Sequence, residues 1–308
     1  MHTSPYRISV VAPVYNESAG IRAFHERAVR VLEALPDATW EIVYVDDGSA
    51  DDSHAQLARF AAADARVRVV KLSRNFGHQI AITAGLDRAG GDCVVVIDAD
   101  LQDPPEVIPR LVERWRAGFD VVYGVRSKRR GESALKRFTA SAFYRVFDLI
   151  TGVQIPVDVG DFRLLSRRAV GELTRLREKD RFVRGLVSWI GFAQTGVEYE
   201  RDERAAGETK YPYRKMIQFA LDAIASFSSV PLKLAMWLGY GTSLLALLQL
   251  ASVSLQRWRG QGVQGWEAIM AALLFLGGVQ LICLGILGSY LRRILIEVKP
   301  RPLYVVEE

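Results

Sequence analysis

The chain has 308 residues, half of them hydrophobic and 24% charged, which excludes wholesale disorder and leaves enough length to bury a large core. Lys and Arg number 40 against 35 Asp and Glu, a net charge of +5. So mild a surplus does not by itself argue for nucleic acid, which is not among the expected partners, and suits anionic lipid or phosphate substrates as well.

In chain order, the first 125 residues alternate short β-rich runs with helical stretches. Strands are predicted at 8–12, 41–45, 67–72, 93–97 and 121–123, and helices at 19–34, 51–63, 78–89 and 105–116. That alternation predicts an α/β domain with a mainly parallel sheet and helices on both faces. In such sheets ligands bind beyond the carboxyl ends of the strands, so polar motifs at strand ends take functional priority. The first apolar run, 8–14, is short and contains Pro13, so no signal peptide is expected. Cys93 and Cys283 each sit in an apolar run, far apart, and read as packed thiols.

Two later stretches are amphipathic. In 134–150, Leu135, Phe138, Ala142, Val146 and Leu149 share a face away from Lys136, Arg137 and Arg145; in 213–229, Met216, Ile217, Ala220, Ile224 and Phe227 do the same after Arg214 and Lys215. Helices lying in a membrane interface and ordinary domain packing both fit this pattern, and closeness to the apolar tail tips the second stretch toward the interface.

The mean hydropathy of +0.09 conceals an uneven distribution. No charge falls between Lys233 and Arg257 or between Glu267 and Arg292, gaps of 23 and 24 residues. About 20 apolar residues cross a bilayer core, so two spans are expected at 233–256 and 268–291, buried helices of a soluble protein being the alternative. Trp237, Tyr240, Trp258, Trp266 and Tyr290 lie near their ends, where interfacial aromatics belong. Outside the hairpin lie Arg214, Lys215, Lys233, Arg292, Arg293, Lys299 and Arg301, against Arg257 and Arg259 in the loop, which predicts both termini in the cytoplasm. Gly277, Gly278, Gly285 and Gly288 offer close packing for a homo-oligomer. The expected division is a cytoplasmic α/β domain over 1–211, a juxtamembrane helix over 212–231, the hairpin over 232–291 and a cytoplasmic tail over 292–308.

Three strand ends carry polar groups. The fourth strand runs into Asp98-Ala99-Asp100-Leu101-Gln102-Asp103-Pro104-Pro105-Glu106. Asp98 and Asp100 can converge on a hard cation such as Mg²⁺ or Mn²⁺. A solvated turn with a helix cap at Asp103 explains that residue and the prolines, but not the two acids before them. Asp46-Asp47-Gly48-Ser49 closes the second strand, where an acid can accept from a base or ribose or cap the helix starting near Asp51. Pro13-Val14-Tyr15-Asn16-Glu17 ends the first, where Tyr15 can pack on a base. Three such ends on one edge describe a ligand site better than three unrelated caps.

These motifs, with Arg74-Asn75-Phe76-Gly77, occur in the order seen in glycosyltransferase family 2. The chain more narrowly resembles the polyprenyl-phosphate glycosyltransferases, the dolichyl-phosphate mannose synthase group. Gly124-Val125-Arg126, Gly160-Asp161-Phe162-Arg163-Leu164-Leu165 and Gly207-Glu208-Thr209-Lys210-Tyr211 add to the match, and the two-span tail resembles the bactoprenyl-phosphate glucosyltransferase branch. The resemblance implies a GT-A (Rossmann-like) fold, a nucleotide-sugar donor, a polyprenyl-phosphate acceptor such as undecaprenyl phosphate, a lipid bilayer as partner and Mg²⁺ or Mn²⁺ as cofactor. It also implies that Pro13, Tyr15, Glu17, Asp46, Asp47 and Asp98 hold the nucleotide sugar, while Asp98, Asp100 and Gln102 bind the metal. A carboxylate near Gly160 acts as base by the same resemblance, Asp161 first and Asp158 second.

The acceptor adds a physical argument. A phosphate monoester has its second pKa near roughly 6 and is largely dianionic at neutral pH, so it needs cationic positioning more than a base. Arg126, Arg129, Arg137, Arg201, Arg204 and Lys210 are the candidates for that charge, the run Lys128-Arg129-Arg130 also reading as a solvated loop or lipid contact. Asp161 is expected to orient the acceptor more than to remove a proton. UDP-glucose is the donor favoured by the resemblance, with GDP-mannose, UDP-N-acetylglucosamine or a UDP-aminoarabinose derivative as alternatives and a silent scaffold as another class. A polymer-forming transferase is disfavoured by only two spans and no Gln-X-X-Arg-Trp motif.

Overall fold

The computed structural model describes residues 5–126, 159–179, 181–201, 230–259 and 265–307. The chain forms two compact units, Met1–Tyr211 with Arg301–Glu308, and Pro212–Pro300.

In the first unit the described residues form a seven-stranded sheet in the order β3-β2-β1-β4-β6-β5-β7. Its strands are β1 (Tyr6–Val14), β2 (Ala38–Asp46), β3 (Val67–Lys71), β4 (Cys93–Val96), β5 (Val121–Arg126), β6 (Val159–Ser166) and β7 (Gln194–Tyr199). The first four pair in parallel, with Val10 opposite both Ile42 and Val95 and Tyr44 opposite Val69. β6 is antiparallel to both neighbours, and β7 is parallel to β5. Six strands therefore point one way and β6 alone runs back, so the carboxyl ends of the six and the amino end of β6 share one edge.

Every residue of β4 and β6 is buried, as central strands covered on both faces require. α1 (Ile21–Glu33) buries Ile21, Phe24, Ala28 and Leu32, and α4 (Ile108–Arg116) buries Ile108, Leu111, Val112 and Trp115, each a single helical face. α2 spans Ser53–Ala63, α3 His78–Leu86, α5 Arg167–Arg175 and α6 Val183–Trp189. α3 lies tightly on the sheet: a Cβ at Gly85 would stand 2.2 Å from Val11 Cγ1, so only glycine lets the helix approach that closely. Its amino end then faces the shared edge, carrying His78 and Gln79.

The predicted strands and helices of the first 125 residues are all present, most with ends moved by one to three residues. The largest differences are a 3₁₀ turn, Pro105–Val107, ahead of α4 and the extension of β5 to Arg126. β6, α5, α6 and β7 were not anticipated. The amphipathic stretches 134–150 and 213–229 lie outside the described residues.

The second unit holds α7 (Val230–Trp258) and α8 (Trp266–Val298). Their windows Ala235–Gln256 and Ala272–Val298, 22 and 27 residues long, are apolar and long enough to cross a membrane, and neither is buried within the structure. Leu244, Leu247, Leu273 and Leu274 are among many large apolar side chains that the two helices leave exposed, as membrane-spanning helices do. α8 runs past the predicted end of its span at 291.

Residues 301–307 belong to the first unit. Val306 bridges Leu72 in antiparallel sense, Ser73 N–H donates to Val305 O at 3.0 Å, and Glu307 N–H donates to Lys71 O at 2.8 Å. This short segment covers the outer edge of β3, which otherwise presents unpaired backbone groups.

Candidate active site

The shared edge opens into a cavity of about 300 Å³ whose lining includes Pro13, Tyr15, Glu17, Asp47, Asp98 and Asp100. Among the described residues, two of the three non-glycine residues with left-handed backbone, Asn16 (φ 56°) and Leu101 (φ 63°), flank it, and such conformations gather at sites that demand a particular turn.

On one side the β1 and β2 ends are laced together. Asn16 Oδ1 accepts from Ala50 N–H at 2.8 Å, and Glu17 N–H donates to Ser53 Oγ at 2.9 Å. Ser18 N–H donates to Asp51 Oδ2 at 3.0 Å. Tyr15 is left at the rim, 49% exposed, with a ring face open to stacking. Asp46 is fully buried: Oδ1 accepts from Ser49 N–H at 2.9 Å and Oδ2 faces His54 Nδ1 at 3.2 Å, so this residue braces the turn from behind. Asp47 reaches the cavity wall and accepts from the N–H groups of Phe76 and Gly77 at 2.7 and 2.9 Å. Burial pushes its carboxyl up, more than those two bonds pull it down. Gly48 makes the junction: its φ is 71°, and a Cβ there would lie 2.5 Å from the Arg74 carbonyl carbon.

Beyond β4, Asp98 is pushed up to about 6 by burial, with the charges of Asp161, Asp103 and Asp100 adding and His78 opposing. Its Oδ1 is buried, faces His78 Nε2 at 3.5 Å, and makes no hydrogen bond among the described residues. Asp100 Oδ1 accepts from Gln102 N–H at 3.0 Å, so the acid pair is held by a turn through Leu101. Among the described residues no three His, Cys, Asp or Glu side chains converge to hold an ion unaided. Two carboxylates, one with an orphaned oxygen, fit a hard cation whose remaining ligands are water and substrate phosphate.

Asp161, at the amino end of β6, arrives at the same edge because that strand runs backward. It is 5% exposed and is gripped by Arg184, whose Nε donates to Oδ1 at 2.9 Å and Nη2 to Oδ2 at 3.0 Å. His78 Nε2 and Gln79 Nε2 each lie 3.3 Å from Oδ2. Burial alone would raise this carboxyl; the bonds from His78 and Arg184 and the charges of Arg184 and Arg163 outweigh it and hold Asp161 well below the usual carboxylate range. Burial likewise opposes a charged His78, but Asp161 and Asp98 outweigh it and hold the imidazole above its ordinary value. Gln79 Oε1 also accepts from Val183 N–H at 3.0 Å, tying α6 to α3.

On the far side, Arg126 ends β5 and Arg201 follows β7, and both turn toward Asp103. The expectation that Asp103 caps a helix is corrected. Asp103 is fully buried, and no side-chain cap closes the 3₁₀ turn after it. Asp158, Arg129, Arg137, Arg204 and Lys210 lie outside the described residues. Sequence reasoning missed Arg184, Arg163 and Gln79, and it reads His78, just after Arg74-Asn75-Phe76-Gly77, as a helix-start residue with a place near the site as the alternative; the usable signal was a lone cation, Arg184, inside the otherwise apolar α6.

The model of Glycosyl transferase family 2 matches residues 9–174. An uncharacterized glycosyltransferase of Bacillus subtilis (strain 168), YkcC, is 47% identical over 303 residues, covering 97% of this chain and 93% of that protein. The SfII prophage-derived bactoprenol glucosyl transferase of Shigella flexneri is 42% identical, covering 98% of each. A structure of glucosyl-3-phosphoglycerate synthase from Mycobacterium tuberculosis, solved with Mn²⁺, UDP-glucose and phosphoglyceric acid, aligns at TM-score 0.49 and 22% identity over 71% of this chain and 78% of that one.

Proposed function

The chain belongs to glycosyl transferase family 2, and from that premise we propose that it transfers glucose from UDP-glucose to a polyprenyl monophosphate such as undecaprenyl phosphate, with inversion, at the cytoplasmic face of a membrane. One observation carries this reading. A single chain joins the polar sheet edge to two membrane-length helices, and a protein named as a bactoprenol glucosyl transferase matches it across both parts.

The residues divide the work by position. Tyr15 stacks on the base, Pro13, Glu17 and Asp47 line the nucleoside, and Asp46 braces their turn. Asp98, Asp100 and Gln102 would hold Mg²⁺ or Mn²⁺, which would supply positive charge against that developing on the departing diphosphate. An acceptor phosphate oxygen attacks the anomeric carbon while the bond from that carbon to UDP breaks. The attacking oxygen is already deprotonated at neutral pH, the second pKa of a phosphate monoester being roughly 6. No base is required, which agrees with Asp161 being locked to Arg184: a carboxylate held that far down is a poor proton acceptor. Asp161 instead fixes Arg184 and His78, with Asp158 as the second acid of that segment. Arg126 and Arg201, with Arg129, Arg137, Arg204 and Lys210, supply the cationic seat for the acceptor phosphate and diphosphate.

Connectivity and charge support this sidedness. The chain leaves the catalytic unit at Tyr211 and re-enters it at Arg301, which asks for an even number of crossings. The basic residues flanking the hairpin outnumber those of its loop, which favours a cytoplasmic catalytic unit and termini.

The test is transfer of label into organic-extractable lipid by the full-length protein, with undecaprenyl phosphate, Mg²⁺ or Mn²⁺ and a panel of UDP- and GDP-sugars. Label from UDP-glucose, lost with chelator, is the expected result. Label from another donor overturns the sugar, and no lipid product from any donor overturns the reaction.

A further inference from the structure

Asp103 is the third acid of the Asp98–Glu106 run and the one that a metal and a nucleotide leave unexplained. Its side chain is fully buried. Tyr199 OH donates to Oδ1, and Arg201 Nε lies 3.4 Å from the same oxygen. Oδ2 makes no hydrogen bond among the described residues and faces Arg126 Nη2 at 3.6 Å. Arg126 Nε in turn donates to Tyr199 OH at 3.4 Å. One buried carboxylate and one phenol thus organise two guanidiniums from the ends of two different strands.

Two neighbouring glycines leave the room this arrangement occupies. A Cβ at Gly124 would meet the Tyr199 ring at 2.7 Å, and one at Gly160 would meet Arg126 Nη2 at 2.4 Å. The Tyr199 ring packs edge-on against Phe162. A buried carboxylate with a bare oxygen is unfavourable unless its charge is matched, and here it is matched twice over. Two guanidiniums against one carboxylate leave a positive charge in excess. Neither arginine lines the nucleotide cavity, and Arg201 keeps a third of its side chain exposed.

We propose that Asp103 is a positioning residue, acting with Tyr199 to hold Arg126 and Arg201 as a paired seat for a substrate phosphate group. This rests on the reading above that the arginines meet phosphate. The ligand chemistry is a phosphate oxyanion, supplied by the lipid acceptor or by the donor diphosphate.

The test uses full-length protein carrying Asp103→Asn, which keeps size and an acceptor for Tyr199 but removes the charge that orders the arginines. KM for polyprenyl phosphate and for UDP-glucose are measured separately, along with kcat. A rise of about tenfold or more in one KM, with a smaller change in kcat, is expected, since charged hydrogen bonds of this kind are worth that much. A rise confined to the lipid identifies the acceptor as occupant; a rise confined to UDP-glucose identifies the diphosphate. Unchanged constants, or a fall in KM because the arginines now act as unscreened charge, overturn the proposal. Tyr199→Phe keeps the ring packing and reads the same substrate's KM if Asp103→Asn does not fold; unchanged constants there overturn the proposal equally.

Binding of inorganic pyrophosphate by calorimetry, without metal, separates the two failures. Weaker binding by Asp103→Asn than by wild type supports the seat even if no lipid product forms, and equal binding overturns it whatever the reaction.

Discussion

Arg184 takes both oxygens of Asp161, at 2.9 and 3.0 Å, and so converts the acid at the head of β6 from a proton acceptor into a fixed anchor. Its carboxyl is held well below the usual carboxylate range. A depressed value in the folded state contributes stability that is complete above the unfolded value of about 3.9 and is lost only as pH falls through the folded one. Stability from this pair is therefore flat between about pH 5 and 8. Asp161→Asn should lose activity by about 100-fold and not regain it between pH 7 and 9, measured as kcat/KM. Recovery of Asp161→Asn with rising pH would restore a base role. Arg184→Ala leaves the buried carboxylate with only the longer contacts from His78, Gln79 and Arg163 and should cost roughly 3 kcal/mol in unfolding free energy.

Asp98 shows the opposite sign. Burial among acids pushes it up to about 6, so at neutral pH its ionised form opposes folding of the metal-free protein by on the order of 3 kcal/mol. That opposition is absent below the unfolded value, grows as pH rises toward 6 and is constant above it. Asp98→Asn should therefore melt at or above wild type in chelator at pH 7.5 while losing transfer activity by about 100-fold or more. A melting point well below wild type would show that the ionised acid is satisfied without metal.

Much of this site is readable from sequence because parallel strands end where ligands bind. The runs closing β1, β2 and β4 are short, apolar and followed at once by acids or an aromatic, so the eye lands on Tyr15, Asp47, Asp98 and Asp100. β6 hides for a physical reason: Asp161 and Arg163 interrupt an otherwise apolar strand, and both are buried because each has an opposite charge at hand. Asp103 misleads differently. An acid before two prolines is a sound helix-start signal, and nothing local reveals that its partner, Tyr199, lies 96 residues away. Arg184 is visible only as a charge out of place in α6. The reversal of β6, which alone delivers Asp161 to the edge, is a property of pairing and leaves no mark on local periodicity.

Gly48 sits where two loops touch. Its φ of 71° is strained for any side chain, and a Cβ would enter the Arg74 and Asn75 backbone at 2.5 and 2.6 Å. Gly48→Ala should push the 74–77 loop away and loosen the bonds from Phe76 and Gly77 to Asp47. A loss of about 2 kcal/mol in stability and a raised KM for UDP-glucose with little change in the lipid KM are expected. An unchanged donor KM would detach this junction from nucleotide binding.

The carboxyl-terminal segment is the last link. Tyr304 OH donates to Asp87 at 2.7 Å and accepts from Arg88 at 2.9 Å, while Arg177 holds both oxygens of Asp87 at 2.8 and 3.0 Å. Lys71 pairs with Glu307 at 2.9 Å beside the short bridge to β3. These contacts are individually small, because exposed ion pairs contribute about 1 kcal/mol or less. Their combined effect is to cover a sheet edge whose bare N–H and C=O groups would otherwise recruit another strand. Deleting residues 302–308 should lower the melting temperature of the purified protein by a few degrees, on the order of 1–2 kcal/mol, and increase aggregation, without altering either KM. Tyr304→Phe isolates one part: it removes the hydroxyl between Asp87 and Arg88 but leaves the backbone bridge, so it should shift melting by less than the deletion and leave aggregation unchanged. If the deletion instead raises the KM for one substrate while melting stays put, the segment acts on the site and not on the edge.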